Sequence, residues 1–422
     1  MNKILFITNR LPFPKTDGRK NILSQYCEQI KEIYPDCSIV NLSFVDEKKH
    51  LNEKPDFISK VIELDPPHFF EKIYNVVIHS FIRRKWPIQV AVYYSRSTHH
   101  RIKKIIEHEK PDFIFYDMVR LAEYIVQCES QTIMSYDDLL SLRYKRQLQW
   151  IKYTPSLLGS FAYKLPKVIR PLFNMKYFQS LLLKFESYLL VKYEVEVAEV
   201  FDKLIFTSPK EAKEFQLLTT HPVCMGIPMV FETKNRMDKR SIDKNKIVFV
   251  GKMDIPHNIS AVLYFYNKIW PKVKMHSPNA KFYIIGKSPA PEISELARQK
   301  DIIVTGEMKN IFEAIQDAAV FVAPLLFGTG IKTKVIEAMS IGIPVVATTI
   351  GAEGIFYGEN KGLFVTDDSE EFVEYILKLM NNVELNYEVT NNGYKLIDEY
   401  YSKTRSISRW DELLNNRCIT HS

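Results

Sequence analysis

A glycine-bearing loop with closely spaced lysines lies in the second half of the sequence. The apolar run 320–323 predicts a strand, residues 324–330 a loop, and residues from about 331 a helix. Gly328 and Gly330 permit a close approach of the backbone, and the first turn of a helix offers N–H groups that have no intrahelical partner. Because such helix starts bind anions, the pattern predicts a phosphate-binding site.

Two lysines of this segment support the prediction of a phosphate-binding site. Lys332 and Lys334 fall in the first turn of the predicted helix, where positive charge opposes the helix macrodipole. A bound phosphate or pyrophosphate would offset that repulsion. In an alternative interpretation both lysines extend into solvent, and Lys334 pairs with Glu337 three residues later.

The composition limits the class of protein. Of 422 residues, 46% are apolar and 25% are charged, which is typical of a globular chain and excludes a mostly disordered one. The five scattered cysteines show no C-x-x-C spacing, which excludes a zinc ribbon and a secreted disulfide scaffold. No window approaches about 18 consecutive apolar residues, and the apolar run at the start of the chain is short. We therefore expect neither a membrane-spanning helix nor a signal peptide.

Short apolar runs alternate with amphipathic stretches and predict two doubly wound parallel sheets, an α/β fold. In the first half the predicted strands are 3–8, 38–45, 58–64, 112–117, 132–136 and 204–207, with a helix over 19–33. In the second half they are 247–250, 282–285, 302–304, 320–323, 344–347 and 363–365. The helix after 247–250 has Asn258 available as N-cap. Ligands of such sheets bind outside the carboxyl ends of the strands, so we expect a site in a cleft between the two domains.

The predicted domain organisation follows from these runs. We expect a Rossmann-like domain over 1–225 that carries a basic, aromatic-rich insert at about 143–185, a polar linker over 226–245, and a second Rossmann-like domain over 246–401. The last helical pattern, within 402–422, either caps the second domain or packs back on the first. We predict the second arrangement.

Two windows without acidic residues concentrate the positive charge of a chain whose net charge is +7. Window 139–185 contains nine basic residues, among them Lys164, Lys167 and Arg170, and window 72–106 contains eight. Basic residues mixed with aromatic and aliphatic ones suit an anionic membrane surface. The alternative is a solvated basic face over an ordinary core. Because no nucleic-acid-binding module appears, we expect no nucleic-acid partner.

The glycine loop and the helix after it resemble the donor-site signature of the retaining GT-B glycosyltransferases of family 4, the glycosyl transferases group 1. The signature has the form G-x-G-x-K-x-K-V-x-E-A-M, and residues 328–339 read GTGIKTKVIEAM. The resemblance is dense from about 201 to 365 and looser before it. It implies a GT-B fold, with two Rossmann-like domains facing a cleft and a C-terminal helix that crosses back to the N-terminal domain.

The resemblance also implies roles for matching residues. Glu337 corresponds to a glutamate that accepts hydrogen bonds from the ribose hydroxyls of a nucleotide sugar, a task that suits a carboxylate. The donor-side positions are Gly18, Gly251, Lys252, Met308, Thr329, Gly330, Ile331, Lys332, Lys334 and Glu337. Of these, Gly330, Ile331 and Lys332 would turn their backbone to the diphosphate. The resemblance further implies that the first domain (1–225) binds the acceptor and that the second domain (246–401) binds the nucleotide-sugar donor.

Some positions depart from the family pattern. The family usually has two glutamates with seven residues between them, and Thr329 stands where the first is expected. A second basic phosphate ligand after Lys252 is not evident, and His257 is a candidate substitute or a structural residue. Asp137 is a candidate catalytic or acceptor-facing residue, with a helix N-cap as the alternative. The acceptor or membrane side would include Asp17, Arg143, Lys164, Lys167 and Arg170.

The resemblance implies a retaining glycosyltransferase without a metal or cofactor. It would move a sugar from a UDP or GDP sugar to a hydroxyl of a glycan or a polyprenyl-diphosphate-linked glycan, in bacterial surface polysaccharide synthesis. We expect a cytoplasmic enzyme held peripherally on the inner face of the plasma membrane. Two alternatives remain open at this point, a GT-B-shaped nucleotide-sugar epimerase and a non-catalytic nucleotide-sugar-binding or scaffold protein.

Overall fold

The computed structural model describes residues 1–153, 175–233, 241–308, 310–356 and 362–415. The chain divides into two compact units. Unit 1 comprises residues 1–141, 186–230 and 403–422, and unit 2 comprises 142–185 and 231–402. The predicted positions Lys164, Lys167 and Arg170 lie outside the described residues.

Unit 1 is built on a parallel sheet. Its strands are β1 (Lys3–Thr8), β2 (Ser38–Phe44), β3 (Lys60–Leu64), β4 (Phe113–Asp117), β5 (Gln131–Asp137), β6 (Lys203–Phe206) and β7 (Cys224–Gly226). Their order is β3-β2-β1-β4-β5-β6-β7, and every pairing is parallel. The central strands are buried along nearly their whole length, as expected for a sheet covered on both faces.

The helices of the first half lie between these strands. They are α1 (Gly18–Ile33), α2 (Phe69–Asn75), α3 (Ile88–Ala91), α4 (Arg96–Glu109), α5 (Leu140–Gln149), α6 (Lys176–Ala198) and α7 (Pro209–Thr219). A π-helical segment, Val76–Ile82, continues α2. Shorter 3₁₀ turns cover Lys48–Glu53, Val119–Tyr124 and Ile151–Tyr153.

Unit 2 repeats the same plan. Its strands are β8 (Asp243–Val250), β9 (Lys281–Ile285), β10 (Ile302–Gly306), β11 (Ala318–Ala323), β12 (Val345–Ala347) and β13 (Phe364–Val365). They form a parallel sheet in the order β10-β9-β8-β11-β12-β13. Aromatic side chains fill the core beside it, with the rings of Phe265 and Phe282 only 4.5 Å apart.

The helices of the second half complete the layers. They are α8 (Pro256–Tyr264), α9 (Trp270–His276), α10 (Pro291–Ser294), α11 (Ile311–Ile315), α12 (Thr333–Ser340), α13 (Ser369–Asn381), α14 (Val383–Tyr400) and α15 (Lys403–Asn415). A π-helical segment, Phe265–Ile269, joins α8 to α9, and a 3₁₀ turn covers Glu295–Arg298. None of the helices among the described residues combines the length and the apolar character needed to cross a bilayer.

The predicted α/β class with two parallel sheets is confirmed, and three details differ. The short strand β7 was not predicted, because three residues carry too little periodicity. Strand β8 begins at Asp243, inside the predicted linker, because Asp243 pairs in register with Ala318 of β11 and its N–H donates to the carbonyl of Asp317 at 2.8 Å. The described parts of the insert predicted at about 143–185, residues 143–153 and 175–185, group with unit 2.

The last helix, α15, belongs to unit 1 and packs against α1. Trp410 is fully buried and its ring meets that of Tyr26 edge-on, with 4.9 Å between the centroids. The buried ammonium of Lys203 donates to the carbonyl oxygen of Leu413 at 2.5 Å, and Ser406 donates to Gln29 at 2.8 Å. The C-terminal helix is therefore part of the core of unit 1.

We expect Trp410→Ala to lower the free energy of unfolding of unit 1 by about 3–5 kcal/mol, because it leaves a large cavity beside Tyr26. Chemical denaturation followed by circular dichroism measures this change. Glu412→Ala, on the exposed face of the same helix, is the matched control and should stay within about 0.5 kcal/mol of the parent. Equal losses in the two variants would contradict a core role for α15.

Candidate functional site

In unit 2 the glycine loop and a second loop follow neighbouring strands. The loop 324–332 follows β11, and the loop 251–255 follows β8. These strands pair at the point where the strand order reverses. Open parallel sheets bind their ligands outside the carboxyl ends of the strands at such a point. The fold therefore brings the predicted phosphate loop and its predicted opposing loop to one place.

The glycine loop is buried and has a backbone that favours glycine. Gly328 has φ +147° and Gly330 has φ +67°. Beneath the loop, the ammonium of Lys332 donates to the carbonyl oxygens of Thr329 at 2.9 Å and Gly330 at 2.6 Å. Lys332 is 8% exposed, so the alternative in which both lysines extend into solvent is wrong. Its side chain holds the loop that precedes the first turn of α12.

Lys334 is a half-buried cation in the first turn of α12. Its ammonium donates to the side-chain oxygen of Asn258 and lies 4.9 Å above the ring centroid of Phe249. Burial, and then the charge of Lys332, lower the pKa of Lys334 to about 7, although Glu337 opposes the shift. This lysine therefore loses its proton more readily than an ordinary lysine, and a nearby anion would favour its charged form.

His257 lies among the same cations. Its ring centroid is 6.4 Å from that of Phe327. Burial first, and then Lys334, Arg143 and Lys332, lower the pKa of His257 well below its usual value. The imidazole is neutral at physiological pH, so it does not supply the second positive charge that was considered for it. It can still exchange a hydrogen bond with a ligand.

Two arginines of α5 contact the glycine loop from within unit 2. Arg143 donates through Nε to the hydroxyl of Thr329 at 3.2 Å, and Arg146 donates to the carbonyl of Gly328 at 2.8 Å. Arg146 also forms a bidentate pair with Glu353, at 2.5 and 2.7 Å. These contacts explain why the segment from residue 142 groups with unit 2. Sequence reasoning missed Arg146 and Glu353, whose 207-residue separation gives no local signal.

The opposing loop depends on two glycines. A Cβ at Gly286, which has φ +151°, would lie 1.8 Å from the carbonyl oxygen of Gly251. A Cβ at Gly251 would lie 2.8 Å from the amide nitrogen of Asn258. Neither position has room for a larger residue. The loops after β8 and β9 thus pack backbone to backbone at the edge of the sheet.

Asn258 was predicted as a helix N-cap, and this prediction is wrong. The helix α8 begins at Pro256, so Asn258 lies in its first turn and is buried. Its amide donates to the carbonyl of Lys252 at 2.9 Å, and its oxygen accepts from Lys334. Asn258 therefore ties the two loops together. The side chain of Lys252 is exposed and pairs with Asp254 at 3.1 Å.

Three predicted donor-side residues lie around these loops. Glu337 is exposed on α12 and acts electrostatically on Lys334. Ile331 is half-buried at the end of the glycine loop, and Met308, 36% exposed, follows β10. The loops, the helix start and the cations can together hold a doubly charged anion such as a diphosphate.

Unit 1 has its own cluster at the carboxyl ends of its strands. Arg19, in the first turn of α1, donates through Nε to Asp117 at 2.8 Å and through NH1 to Asp137 at 3.0 Å. The side chain of Arg19 is 7% exposed, that of Asp117 fully buried and that of Asp137 26% exposed. Burial lowers the pKa of Arg19, but the two carboxylates outweigh this effect and raise it. Arg19 and Asp117 were not predicted as site residues.

Asp137 adopts an unusual backbone conformation at the end of β5. Its φ is +65°, and its carbonyl accepts hydrogen bonds from the N–H and hydroxyl of Thr207 at 3.1 and 2.9 Å. Strained residues of this kind are found at functional sites. The arginine fixes one oxygen of the carboxylate, while part of the side chain remains accessible. Asp137 can therefore accept a hydrogen bond or a proton from a ligand.

The predicted positions Asp17 and Gly18 start helix α1. The carboxylate of Asp17 accepts from the N–H of Lys20 at 3.0 Å and is the N-cap, while Arg10 pairs with it at 3.4 Å. Both residues are exposed. They lie next to Arg19 in the chain and therefore near the carboxylate cluster.

Comparisons with known proteins agree with this architecture. Residues 244–382 match the family profile described as Glycosyl transferases group 1. Solved structures with the same fold include TarM, with a TM-score of 0.65 and 15% identity over 98% of this chain and 99% of that one. Anabaena Alr3699/HepE in complex with UDP has a TM-score of 0.62 and 13% identity, covering 98% of this chain and 100% of that one. The fold is therefore that of GT-B glycosyltransferase structures.

Two curated relatives match part of the chain. An uncharacterized 44.6 kDa protein in the cps region of Klebsiella pneumoniae is 28% identical over 225 residues, which is 50% of this chain and 56% of that protein. The putative teichuronic acid biosynthesis glycosyltransferase TuaC of Bacillus subtilis strain 168 is 26% identical over 176 residues, 40% of this chain and 42% of that protein. The chain thus spans about half the length of these relatives.

We expect Arg19→Met to lower the free energy of unfolding of unit 1 by about 3–5 kcal/mol, because it leaves the buried Asp117 carboxylate without its cation. Thermal and urea denaturation measure the loss. The double variant Arg19→Met with Asp117→Asn should recover part of it. Arg10→Met removes the exposed pair with Asp17 and should cost at most about 1 kcal/mol. A loss for Arg19→Met no larger than that control would contradict a structural role for the cluster.

Proposed function

We propose that this protein is a retaining glycosyltransferase of family 4 that uses a UDP or GDP sugar as donor. The observation that carries the proposal is the cation-lined glycine loop of unit 2, where Lys332 and Lys334 lie at the start of α12. A diphosphate would bind at this loop. The family match over residues 244–382 supports the same assignment. Glu337 would accept hydrogen bonds from the ribose hydroxyls, and Met308 would lie near the base.

The transfer would proceed without a metal. As the bond between the sugar and the diphosphate breaks, negative charge grows on the leaving group, and the main task of the protein is to stabilise it. Lys334 would become fully protonated against that charge, while the helix start and the backbone of 330–332 supply N–H donors. Lys252 would approach from the opposing loop. Arg143 and Thr329 would face the sugar where the family usually has a glutamate.

The acceptor would be a hydroxyl of a glycan or of a lipid-linked glycan. Asp137, oriented by Arg19, is our candidate for the group in unit 1 that accepts a hydrogen bond from the acceptor hydroxyl. The names of the Klebsiella and Bacillus relatives, which refer to a cps region and to teichuronic acid biosynthesis, support a role in bacterial surface polysaccharide synthesis. An enzyme with such an acceptor would work at the inner face of the plasma membrane.

A thermal-shift panel of UDP, GDP and their sugars tests the donor site. A ligand present at a hundredfold excess over its dissociation constant should stabilise the protein by about 2.7 kcal/mol. A shift with one base only would identify the donor nucleotide. No shift with any nucleotide would contradict the proposal and favour a scaffold protein. A shift with turnover of the sugar but without an acceptor would favour an epimerase.

We expect Glu337→Ala to weaken binding of that nucleotide by about 1.5–3 kcal/mol, because it removes charged hydrogen-bond acceptors for the ribose. Isothermal titration calorimetry measures the affinity, and the melting temperature without ligand should not change. The matched control is Glu388→Ala, on the exposed face of α14 in the same unit. If both variants bind like the parent, the ribose assignment fails.

The affinity for the nucleotide sugar should also depend on pH. Lys334 has a pKa of about 7 in the free protein, and a bound diphosphate raises it. Binding above pH 7 must therefore take up a proton, so affinity should fall by up to about tenfold per pH unit between pH 7 and 9. A nucleotide sugar is the right probe because its diphosphate does not titrate in this range.

The Lys334→Met variant provides the control for the pH effect. It should bind more weakly than the parent at pH 7 and lose the dependence on pH, while its stability without ligand should be equal or higher. Calorimetry at pH 7, 8 and 9 compares the two proteins. A parent affinity that is constant across these values would show that Lys334 does not hold the diphosphate.

A further inference from the structure

Large apolar side chains lie on the surface of unit 1 along α2 and the π-helical segment after it. Phe70 is 81% exposed, Phe69 71% and Ile82 67%. Ile73, Tyr74, Val77 and Phe81 are also exposed, and they recur at intervals of three to four residues on one side of the segment. Contiguous apolar surfaces of this kind mark contacts with proteins or membranes.

The opposite side of the segment is anchored in unit 1. The buried amide of Asn75 donates to the carbonyls of Ala91 at 3.1 Å and Tyr94 at 2.9 Å. The ring of His79 stacks on Trp86 with 3.9 Å between centroids. The apolar side chains are therefore held outward by a fixed inner face. These exposed side chains do not belong to the hydrophobic core of unit 1.

Positive charge lies at the end of this apolar face. Arg83, Arg84 and Lys85 follow the π-helical segment directly and are exposed. Glu71, the acidic residue of the segment, accepts a hydrogen bond from the backbone N–H of Arg96 at 2.9 Å. The surface thus combines exposed aromatic groups with exposed basic ones, which suits the boundary between acyl chains and anionic headgroups.

We propose that the face formed by residues 69–85 docks this protein on an anionic lipid bilayer. Phe70, Phe81 and their apolar neighbours would enter the headgroup boundary, while Arg83, Arg84 and Lys85 contact lipid phosphates. A second copy of the chain is a poorer occupant, because the same face would offer these three cations Glu71 as its acidic side chain, and Glu71 already accepts from the N–H of Arg96. This inference rests on the proposed function in one respect: a lipid-linked acceptor would be the reason why the protein binds a membrane.

Vesicle sedimentation with the full chain tests the docking face. The parent should bind vesicles of phosphatidylcholine and phosphatidylglycerol and bind pure phosphatidylcholine vesicles much less. Phe70→Ser with Phe81→Ser, and separately Arg83→Gln with Arg84→Gln and Lys85→Gln, should each weaken binding to the anionic vesicles by at least about tenfold. High salt should weaken binding of the parent.

The matched control is Leu217→Ser with Leu218→Ser, which removes two exposed apolar residues of α7 in the same unit. It should bind vesicles like the parent, and all variants should keep the parent's melting temperature because the altered side chains are exposed. Equal partitioning of the docking-face variants and the parent would overturn the proposal. The proposal would also be overturned if the parent does not bind vesicles but forms a dimer, and the double variant Phe70→Ser with Phe81→Ser does not form that dimer.

The nucleotide thermal shift, measured on the same samples, separates this proposal from the proposed function. Loss of vesicle binding with an intact nucleotide shift would locate the defect in docking alone. A parent that binds anionic vesicles through this face but no nucleotide would support docking and contradict the glycosyltransferase assignment.

Discussion

Burial of basic groups around one glycine loop is the constraint on which the unit 2 site depends. Lys332, Lys334, Arg143 and His257 lie near this loop. Burial first, and then the charges of neighbouring cations, lower the pKa of His257 and of Lys334. The carboxylate of Glu353 neutralises part of the positive charge, because it forms ion pairs with Arg146 at 2.5 Å and with Lys332 at 4.0 Å. The result is a neutral histidine and a lysine whose pKa is lowered to about 7. An anion bound at such a site would favour the charged form of the lysine.

The parallel sheets explain why both candidate sites form where they do. In each unit the strand order reverses between the first strand and the fourth, β1 and β4 in unit 1 and β8 and β11 in unit 2. The loops that diverge at this point leave room for a ligand and expose helix starts to it. In unit 2 this edge carries cations, whereas in unit 1 it carries two carboxylates around one arginine. The same topology therefore supports opposite chemistries in the two units.

The sequence predicted the sheets well because buried parallel strands are continuous apolar runs, and each predicted strand overlaps an observed one. The glycine loop, Lys332 and Lys334 were also predictable, since their spacing is local. The cluster of Arg19 with Asp117 and Asp137 was not, because its members are 98 and 118 residues apart. The role of Asn258 was missed for a related reason. Its position suits a helix cap, and only the approach of Lys334, 76 residues later, shows that it joins two loops.

The lowered pKa of Lys334 has a consequence for its reactivity. An amine with a pKa of about 7 is mostly unprotonated in mildly alkaline solution, while ordinary lysines, with a pKa of about 10.4, stay charged. The nitrogen of Lys334 then carries an available lone pair and becomes a nucleophile, as buried lysines do in other settings. An amine-selective acylating reagent that reaches this half-buried nitrogen would react with it faster than with a charged surface lysine. An anion seated on the glycine loop would protect it, both by covering the nitrogen and by returning its proton.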